Sequence, residues 1–287
     1  MNFHAKMRIT SLLAASIAIV AWAACRTTHA SSDDQWAMSI EATGKTPTHK
    51  LTYRFSDDQP TVGTLTISAH AKGVQVVEKA TMTWAARPIT RQGHNVELDM
   101  ELVNLKMAHR DPGPTWDHAQ KARWILSDRG KTLRFVTDQL PSENLRGLPD
   151  LALLFRHLMP ALPNQPVGPG AKWSLHQRFS MRLPGPTGTG TLVVTERIQY
   201  HWTNLANGKA HIQARLSSKY SGIIHPLGHV MHIAGKTAGT ATIQWNLTAG
   251  QPSRATLSTK DVVTVTADGK QRSVTSSLTA TWNAEPQ

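Results

Sequence analysis

The sequence has a single cysteine, Cys25, so no disulfide can form within the chain and its stability must come from a packed core. After residue 24, no apolar run is long enough to cross a membrane as a helix. The G-x-S-x-G motif of α/β-hydrolases, a phosphate-binding loop and a dinucleotide fingerprint are also lacking. The glycine-rich segment 184–191, PGPTGTGT, precedes a predicted strand rather than a helix, which favours a hairpin connection over a nucleotide site.

Acidic residues are scarce, with 19 Asp and Glu against 31 Lys and Arg and a formal net charge of +12. Two of the cations, Lys6 and Arg8, lie in the acid-free residues 1–24, which leaves 29 basic and 19 acidic residues, or +10, for the rest. The simpler interpretation is a generally basic surface without a dedicated partner. The cations are scattered without a run of five, so we expect no nucleic-acid partner and a weak preference for anionic membrane surfaces.

The N-terminal residues have the pattern of an export signal. Residues 1–8 are basic, and residues 9–24, ITSLLAASIAIVAWAA, form an apolar segment too short for a stable membrane span. We therefore predict a signal peptide over residues 1–24, a polar, flexible tether over 25–35 and a β-rich domain over 36–287. The predicted location of the protein is outside the cytoplasm.

Cys25 follows Ala23 and Ala24 at the end of the apolar run, an arrangement that resembles the lipobox of bacterial lipoproteins. The resemblance implies diacylation of Cys25 and an N-terminal lipid anchor in the periplasm, at the outer membrane. That family prefers Leu three positions before the cysteine, where this chain has Trp22. Ordinary signal cleavage after Ala23 or Ala30 is the alternative, and it would release a periplasmic or secreted protein.

Alternation of apolar and polar residues with a period of two predicts half-buried strands through most of the chain. The runs include 50–55, 64–69, 172–181, 211–217, 241–247 and 271–282. Tight-turn signals separate them at Lys72-Gly73, Arg129-Gly130, Asn207-Gly208, Ala249-Gly250 and Asp268-Gly269. About twelve strands joined as hairpins are too many for a flat sheet. We therefore predict an all-β fold, a large curved antiparallel sheet that is half-barrel or barrel-like, with one short helix.

Two features interrupt the strands. The apolar phase shifts by one residue between Leu102 and Val103, which predicts a β-bulge. Residues 149–159, PDLALLFRHLM, have an apolar stripe at helical spacing and precede Pro160, which predicts a helix. The loop that follows helps to divide the domain near residues 141–170 into two halves, which form either one continuous sheet or two subdomains.

A loose pattern of turn residues runs through the second half of the chain. Its members are Leu162-Pro163, Pro166-Val167, Gly170 and Trp173, followed by Gly235, Gly239 and Gly250. With the leader and the short helix, this layout resembles an uncharacterised family of β-rich bacterial secreted lipoproteins, which has no established activity. The architecture is also similar to the half-barrels of periplasmic lipoprotein and lipid carriers, in which a long antiparallel sheet wraps an apolar cavity under a helix. A shared fold does not by itself imply a shared function.

Six apolar residues form the predicted ligand-binding site: Trp84, Leu154, Phe155, Leu158, Trp202 and Trp245. The tryptophans lie in the apolar phases of their strands, where core packing and the lining of an apolar cavity are alternatives. The other three belong to the stripe of the helix, which either packs on the core or closes such a cavity.

Glu78 and Glu196 also lie in the apolar phases of their strands. Two inward carboxylates that meet could perform acid–base chemistry, whereas a local bulge or an exposed strand end is the simpler interpretation. A lone buried glutamate would need a cationic partner.

His225 and His229 flank a turn at residues 226–228. A hairpin at this turn would place the two imidazoles opposite each other, with Cβ atoms about 4.5–5.5 Å apart, close enough to share a metal ion. No cysteine or nearby acid completes a zinc site, so exposed histidines that titrate near neutral pH are the alternative.

Together these patterns favour a non-enzymatic cell-envelope lipoprotein or periplasmic protein without a cofactor. We expect a structural or interaction role with an envelope protein as partner, or the binding of an apolar or amphipathic ligand in the curved sheet. The alternatives are a hydrolase-like enzyme that uses the Glu78 and Glu196 pair and an envelope protein that binds metal at His225 and His229. Convergent polar groups at the mouth of a pocket would indicate the enzyme.

Overall fold

The computed structural model describes residues 28–29, 35–71, 79–107, 120–137, 151–185, 188–225 and 230–285. Within these residues the chain forms thirteen strands, one of only two residues, and one short helix, α1, Leu151–Leu158. The strands are β1 Thr28–His29, β2 Gln35–Ala42, β3 Thr61–Ala71, β4 Lys79–Gln92, β5 Asn95–Met107, β6 Gln120–Ser127, β7 Thr132–Thr137, β8 Lys172–Gly185, β9 Gly188–Ala206, β10 Lys209–Ile224, β11 Met231–Asn246, β12 Gln251–Ala267 and β13 Lys270–Ala284. The predicted all-β fold with one short helix is confirmed.

All strands belong to one antiparallel sheet built from two meanders, β3–β7 and β8–β13. The meanders are joined where β3 pairs with β13, in a ladder that runs from Gly63 opposite Ala284 to Ala71 opposite Ser276. β2 pairs with β8 at one end of the sheet and β1 pairs with β7 at the other, and the sheet does not close. The two halves of the sequence therefore share one continuous sheet.

The hairpin turns lie where the glycine signals predict them. Asn207 and Gly208, between β9 and β10, have φ angles of 51° and 68°, and Asp268 and Gly269, between β12 and β13, have 49° and 71°. Two successive positive φ angles are the requirement of the tight turns that match the twist of a hairpin. Gly130 and Gly250 also have positive φ angles, and Lys72-Gly73 lies outside the described residues.

The predicted β-bulge is confirmed. β5 has one residue more than β4 between Leu102 and Asn104, so Val103 has no partner on β4. The side chain of Val103 is 61% exposed, and Leu105 returns to the buried face. The prediction that Val103 itself joins the apolar face is wrong, because it is the extra residue that the ladder expels.

One alternating run, residues 50–55, is extended but is not a strand. The amide of Tyr53 donates to the carbonyl of Asp128 at 3.0 Å, and the amide of Arg54 donates to the carbonyl of Gly250 at 3.1 Å. These carbonyls belong to turns of two different hairpins, so the run crosses an end of the sheet. The alternation with period two therefore identified the buried side chains of this run correctly, but it wrongly predicted that the run pairs with a neighbouring strand.

The helix α1 packs its apolar stripe into the concave face of the sheet. The ring of Phe155 is fully buried, and its centroid lies 5.6–6.1 Å from the ring centroids of Trp84, Trp124, Phe135 and Trp282. These rings come from β4, β6, β7 and β13, so one helical side chain contacts strands of both meanders. Mixed edge-on and tilted ring contacts of this kind add to the hydrophobic contribution of burial.

The segment after the helix is fixed to the end of the sheet by buried hydrogen bonds. The indole of Trp173 donates to the carbonyl of Ala161 at 2.8 Å, and the hydroxyl of Tyr53 donates to the carbonyl of Pro160 at 2.9 Å. The guanidinium of Arg129 donates to the carbonyl of Leu51 at 2.7 Å and to that of Pro163 at 3.0 Å. A proline-rich loop is thereby held as part of the core.

We expect Arg129→Ala to lower the free energy of unfolding by about 2–4 kcal/mol, because two backbone carbonyls lose a charged donor. Arg134→Ala, at an exposed position of β7, should change it by less than about 0.5 kcal/mol. Chemical denaturation of both variants tests the prediction, and equal losses would contradict the role of Arg129.

Candidate functional site

The inner face of the sheet, which faces α1, carries two separate apolar clusters. The first cluster surrounds Phe155 and spans both meanders. The second cluster lies farther along β8–β12 and comprises Phe179, Met181, Leu192, Val194, Ile224, Met231, Ile233, Val263, Val265 and Ala267. The separation indicates two environments on one face of the same strands.

All six residues of the predicted ligand site lie in the first cluster: Trp84, Leu154, Phe155, Leu158, Trp202 and Trp245. Each is 3% exposed or less. Phe155 and Trp84 meet edge to face at 6.1 Å, and Trp245 meets Tyr53 in the same way at 4.8 Å. The side chains thus contact one another as a packed core, and the binding of a ligand by them stays a prediction.

The second cluster is built differently, because its members all come from the sheet. The partly buried residues that pack against it are Leu153, Tyr220 and Val274. Among the described residues, Leu153 of α1 is the apolar side chain from outside the sheet that packs against this cluster. At its border, the guanidinium of Arg156 lies 4.1 Å from the centroid of the Phe179 ring, which places a cation over an aromatic face.

A row of polar residues crosses the inner face between the two clusters. Its members stand in register on the six neighbouring strands β8 to β13: Gln177, Glu196, Ser218, Thr237, Asp261 and Ser276. Polar groups on a core face cost stability unless they are hydrogen bonded. The row contains two carboxylates, and each has specific partners.

Glu196 is 2% exposed and joins the sheet to the helix. Its Oε1 lies 2.7 Å from Nε2 of His157, and its Oε2 accepts a hydrogen bond from the amide of Gln177. Burial by itself would raise the pKa of Glu196, but the attraction and hydrogen bond of His157, the bond from Gln177 and the charge of Arg156 hold it below its ordinary value. The carboxylate is thus kept ionised and engaged on both oxygens.

Asp261 forms the second polar contact of the row. The hydroxyl of Tyr220 donates to its two oxygens at 2.8 and 3.0 Å, and the hydroxyl of Thr237 donates at 2.8 Å. Burial raises the pKa of Asp261, and the two hydroxyl donors oppose this only in part. Burial, followed by the negative charge of Asp261, also raises the pKa of Tyr220 well above its ordinary value.

Tyr220 reaches Asp261 by crossing β11 at Gly235. A Cβ atom added to Gly235 would overlap the ring and hydroxyl of Tyr220. Gly235 stands opposite Tyr220 in the β10–β11 ladder and is therefore required for close approach rather than for an unusual backbone angle. The absence of one side chain on β11 allows a side chain of β10 to contact β12.

The other predicted site residues lie apart from these contacts. Glu78, His229 and Cys25 are outside the described residues, so the carboxylate pair, the histidine pair and lipidation stay predictions. His225 is exposed just after β10. The last pair of the β10–β11 ladder is Ile224 with Met231, a register whose continuation aligns His225 with Val230 rather than with His229.

No helix in the described ranges is long and apolar enough to cross a membrane. In the same ranges, no group of three or more His, Cys, Asp or Glu side chains is arranged to hold a metal ion.

No protein-family model, curated protein or solved structure matches the chain. The resemblance to the secreted lipoprotein family therefore stays a prediction, and the function must be inferred from the chain itself.

Sequence reasoning missed His157, Gln177 and Asp261, although the pattern contained a signal for two of them. Gln177 interrupts the apolar phase of β8 between Leu175 and Phe179, and Asp261 stands in the phase of Val263 and Val265. A polar residue inside an apolar phase marks a buried polar contact. His157 lies on the helix, and its pairing with β9 depends on how the helix docks.

We expect His157→Ala to lower the free energy of unfolding by about 3–5 kcal/mol, because the Glu196 carboxylate would stay buried without its imidazole partner. Replacing both residues by leucine should restore much of that loss, since no buried charge remains. A double-mutant cycle by chemical denaturation measures both effects. If His157→Ala and the double leucine variant have the same free energy of unfolding, an unpaired buried carboxylate is not the cause of the loss.

The same pair predicts acid sensitivity. The folded pKa of Glu196 is lowered, so its stabilising contribution is present above its ordinary pKa of 4.5 and is lost as the pH falls through the folded value. Unfolding free energies of the wild type measured at falling pH should decline more steeply than those of Glu196→Gln. Parallel curves would show that Glu196 is not the group responsible.

Asp261 should behave in the opposite way. Its folded pKa is raised above 3.8, so ionisation opposes folding as the pH rises through the folded value. We expect Asp261→Asn, which keeps an oxygen acceptor for Tyr220 and Thr237, to be as stable as the wild type or more stable at pH 7. A loss larger than about 1 kcal/mol, the typical cost of a point substitution, would contradict this assignment.

Proposed function

We propose that this protein is a non-enzymatic protein of the cell envelope that binds an apolar or amphipathic molecule, such as a lipid, on the inner face of its curved sheet. The observation that carries the proposal is the second cluster, a face of ten apolar side chains from five strands. From outside the sheet, the described contacts to this cluster come from Leu153 and Arg156 of α1. Each of the ten side chains is 8% exposed or less, and a buried apolar cluster of this kind is the lining that an apolar ligand requires.

An amphipathic ligand suits the border of this face better than a wholly apolar one. Arg156 lies over the ring of Phe179 at the edge of the second cluster, and Arg272 stands in register with Val265 at its far side. Positive charges beside an apolar surface favour a molecule with an acyl chain and an anionic head. The predicted export signal is consistent with an envelope lipid as that molecule.

An enzymatic role receives less support from the inner face. Both oxygens of Glu196 are bonded to His157 and Gln177, and the oxygens of Asp261 accept bonds from Tyr220 and Thr237. Carboxylates engaged in this way position elements of the fold. A general acid or base must instead reach a substrate proton.

Native mass spectrometry of the purified protein tests the proposal. We expect a co-purified mass that is lost on extraction with organic solvent, and uptake of a fluorescent fatty acid by the extracted protein. Ala267→Phe, which fills part of the second cluster, should reduce that uptake by about tenfold, the effect of roughly 1.4 kcal/mol. Ala238→Phe, on the exposed outer face of β11, is the matched control.

A protein without bound mass and without probe uptake would favour the structural or interaction role instead. Equal uptake by both phenylalanine variants would show that the ligand binds elsewhere. Thermal unfolding of each variant confirms that any loss reflects a filled site rather than a disrupted fold.

A further inference from the structure

The outer face of the second meander carries cations and no carboxylate. The strands β8–β13 contain two acidic residues, Glu196 and Asp261, and both stand in the polar row of the inner face. The exposed outward cations of β8–β12 that lie close together form what we call the basic face: Arg178, Arg197, Arg215, Lys219, Lys236 and Lys260. Within the part of the chain that the structure describes, none of these six makes an ion pair or side-chain hydrogen bond.

The register of the strands sets these cations beside one another. Lys219 of β10 stands directly opposite Lys236 of β11. Arg178 belongs to the same row, separated from Lys219 by Thr195, and Arg197 and Lys260 belong to the next row. With about 4.8 Å between strands, the array spans roughly 19 Å across five strands and roughly 13 Å along them. Like charges directly opposite each other destabilise a sheet, so this arrangement opposes folding.

On the first meander, by contrast, charges of opposite sign stand next to each other. Asp99 of β5 stands between Arg87 of β4 and Arg123 of β6, and Arg123 also lies 3.8 Å from Glu97. Glu101 stands opposite Lys121. Among the described residues, charges of opposite sign alternate across β4–β6, whereas the repulsion between like charges across β8–β12 is uncompensated. An unneutralised array on one side is the footprint of an anionic partner.

A shallow groove of about 750 Å³ crosses the basic face. The cations Arg178, Lys219 and Lys236 border it, and its lining includes small or hydroxylated residues such as Thr195 and Ser221. The lining also includes Val193, Ala234 and Val262, and the ammonium, guanidinium and hydroxyl donors around it match the oxygens of a phosphate group. The outward positions of β8–β13 hold no Phe, Tyr or Trp, so the stacking platform of a single-strand nucleic-acid site is lacking there.

We propose that the basic face docks the protein onto the surface of an anionic phospholipid bilayer. The array extends in two directions over the sheet, as a membrane surface does, and does not form the single stripe that follows a linear polymer. Phosphate groups of neighbouring lipids would meet the cations of neighbouring strands. The docking depends on the outer face alone and is independent of ligand binding at the second cluster.

Vesicle co-sedimentation tests the docking. Every protein carries Cys25→Ser, so that no acyl chain contributes. We expect binding to phosphatidylglycerol mixed with phosphatidylcholine, no binding to phosphatidylcholine alone, and a steep loss with added salt. Replacement of Lys219, Lys236 and Lys260 by glutamine should weaken binding by about a hundredfold, since each cation near the surface contributes roughly fivefold.

The matched control replaces Arg87, Lys121 and Arg123 by glutamine, which removes the same charge from the first meander. This variant should bind within about threefold of the parent, and Lys219→Arg with Lys236→Arg should bind like the parent, because charge is kept. If the two triple variants lose the same amount of vesicle affinity, net charge alone explains the binding and the proposal is overturned. Tighter binding to double-stranded DNA than to the anionic vesicles at equal salt would overturn it as well.

Discussion

The pairing of β3 with β13 is the contact on which the rest of the structure depends. Each meander alone is an open sheet with one apolar face, and only the joined sheet surrounds Phe155 with rings from both halves. In this ladder Leu65 lies beside Trp282, near the opposite end of the sequence. Contacts this distant in sequence form slowly, since a long loop must close before they contribute. The edge of β3 therefore stays unpaired until the last strand arrives, a state compatible with transport of an unfolded chain.

The polar row shows how specificity is obtained on an otherwise apolar face. A buried ion pair such as His157 with Glu196 adds little stability compared with well-packed apolar residues, but it is costly to disrupt. In the observed docking of α1 the imidazole of His157 meets the carboxylate of Glu196, and we expect the pair to favour this docking over others. Asp261 performs a related task within the sheet, because Tyr220 and Thr237 reach it from two other strands. The two carboxylates have opposite pKa shifts because His157, Gln177 and Arg156 outweigh burial at Glu196, whereas the hydroxyl donors and a backbone amide do not outweigh burial at Asp261.

The sequence predicted the fold to the extent that local patterns determine it. Period two located β3, β5, β8, β10, β11 and β13, the pairs Asn207-Gly208 and Asp268-Gly269 located turns, and the phase shift at Leu102 located the bulge. The same reasoning mistook residues 50–55 for a strand, because burial of alternate residues does not require a ladder. The candidate site could be predicted from the sequence only in part. The sequence placed Glu196 in the apolar phase of its strand, with a bulge or an exposed strand end as the simpler interpretation. Its contact with His157 depends on how the helix docks. The polar row and the basic face can be identified only from the register of the strands β8–β13.

The absence of a side chain at Gly235 limits which amino-acid substitutions can be accepted at the neighbouring positions during evolution. The ring of Tyr220 occupies the volume that any other residue at position 235 would need, so the two positions form one packing unit. A larger residue at 235 is tolerable only with a smaller one at 220, and that change would remove the hydroxyl that Asp261 accepts from. Substitutions at positions 220, 235 and 261 should therefore be correlated among homologues, because the three residues pack as one unit across β10, β11 and β12.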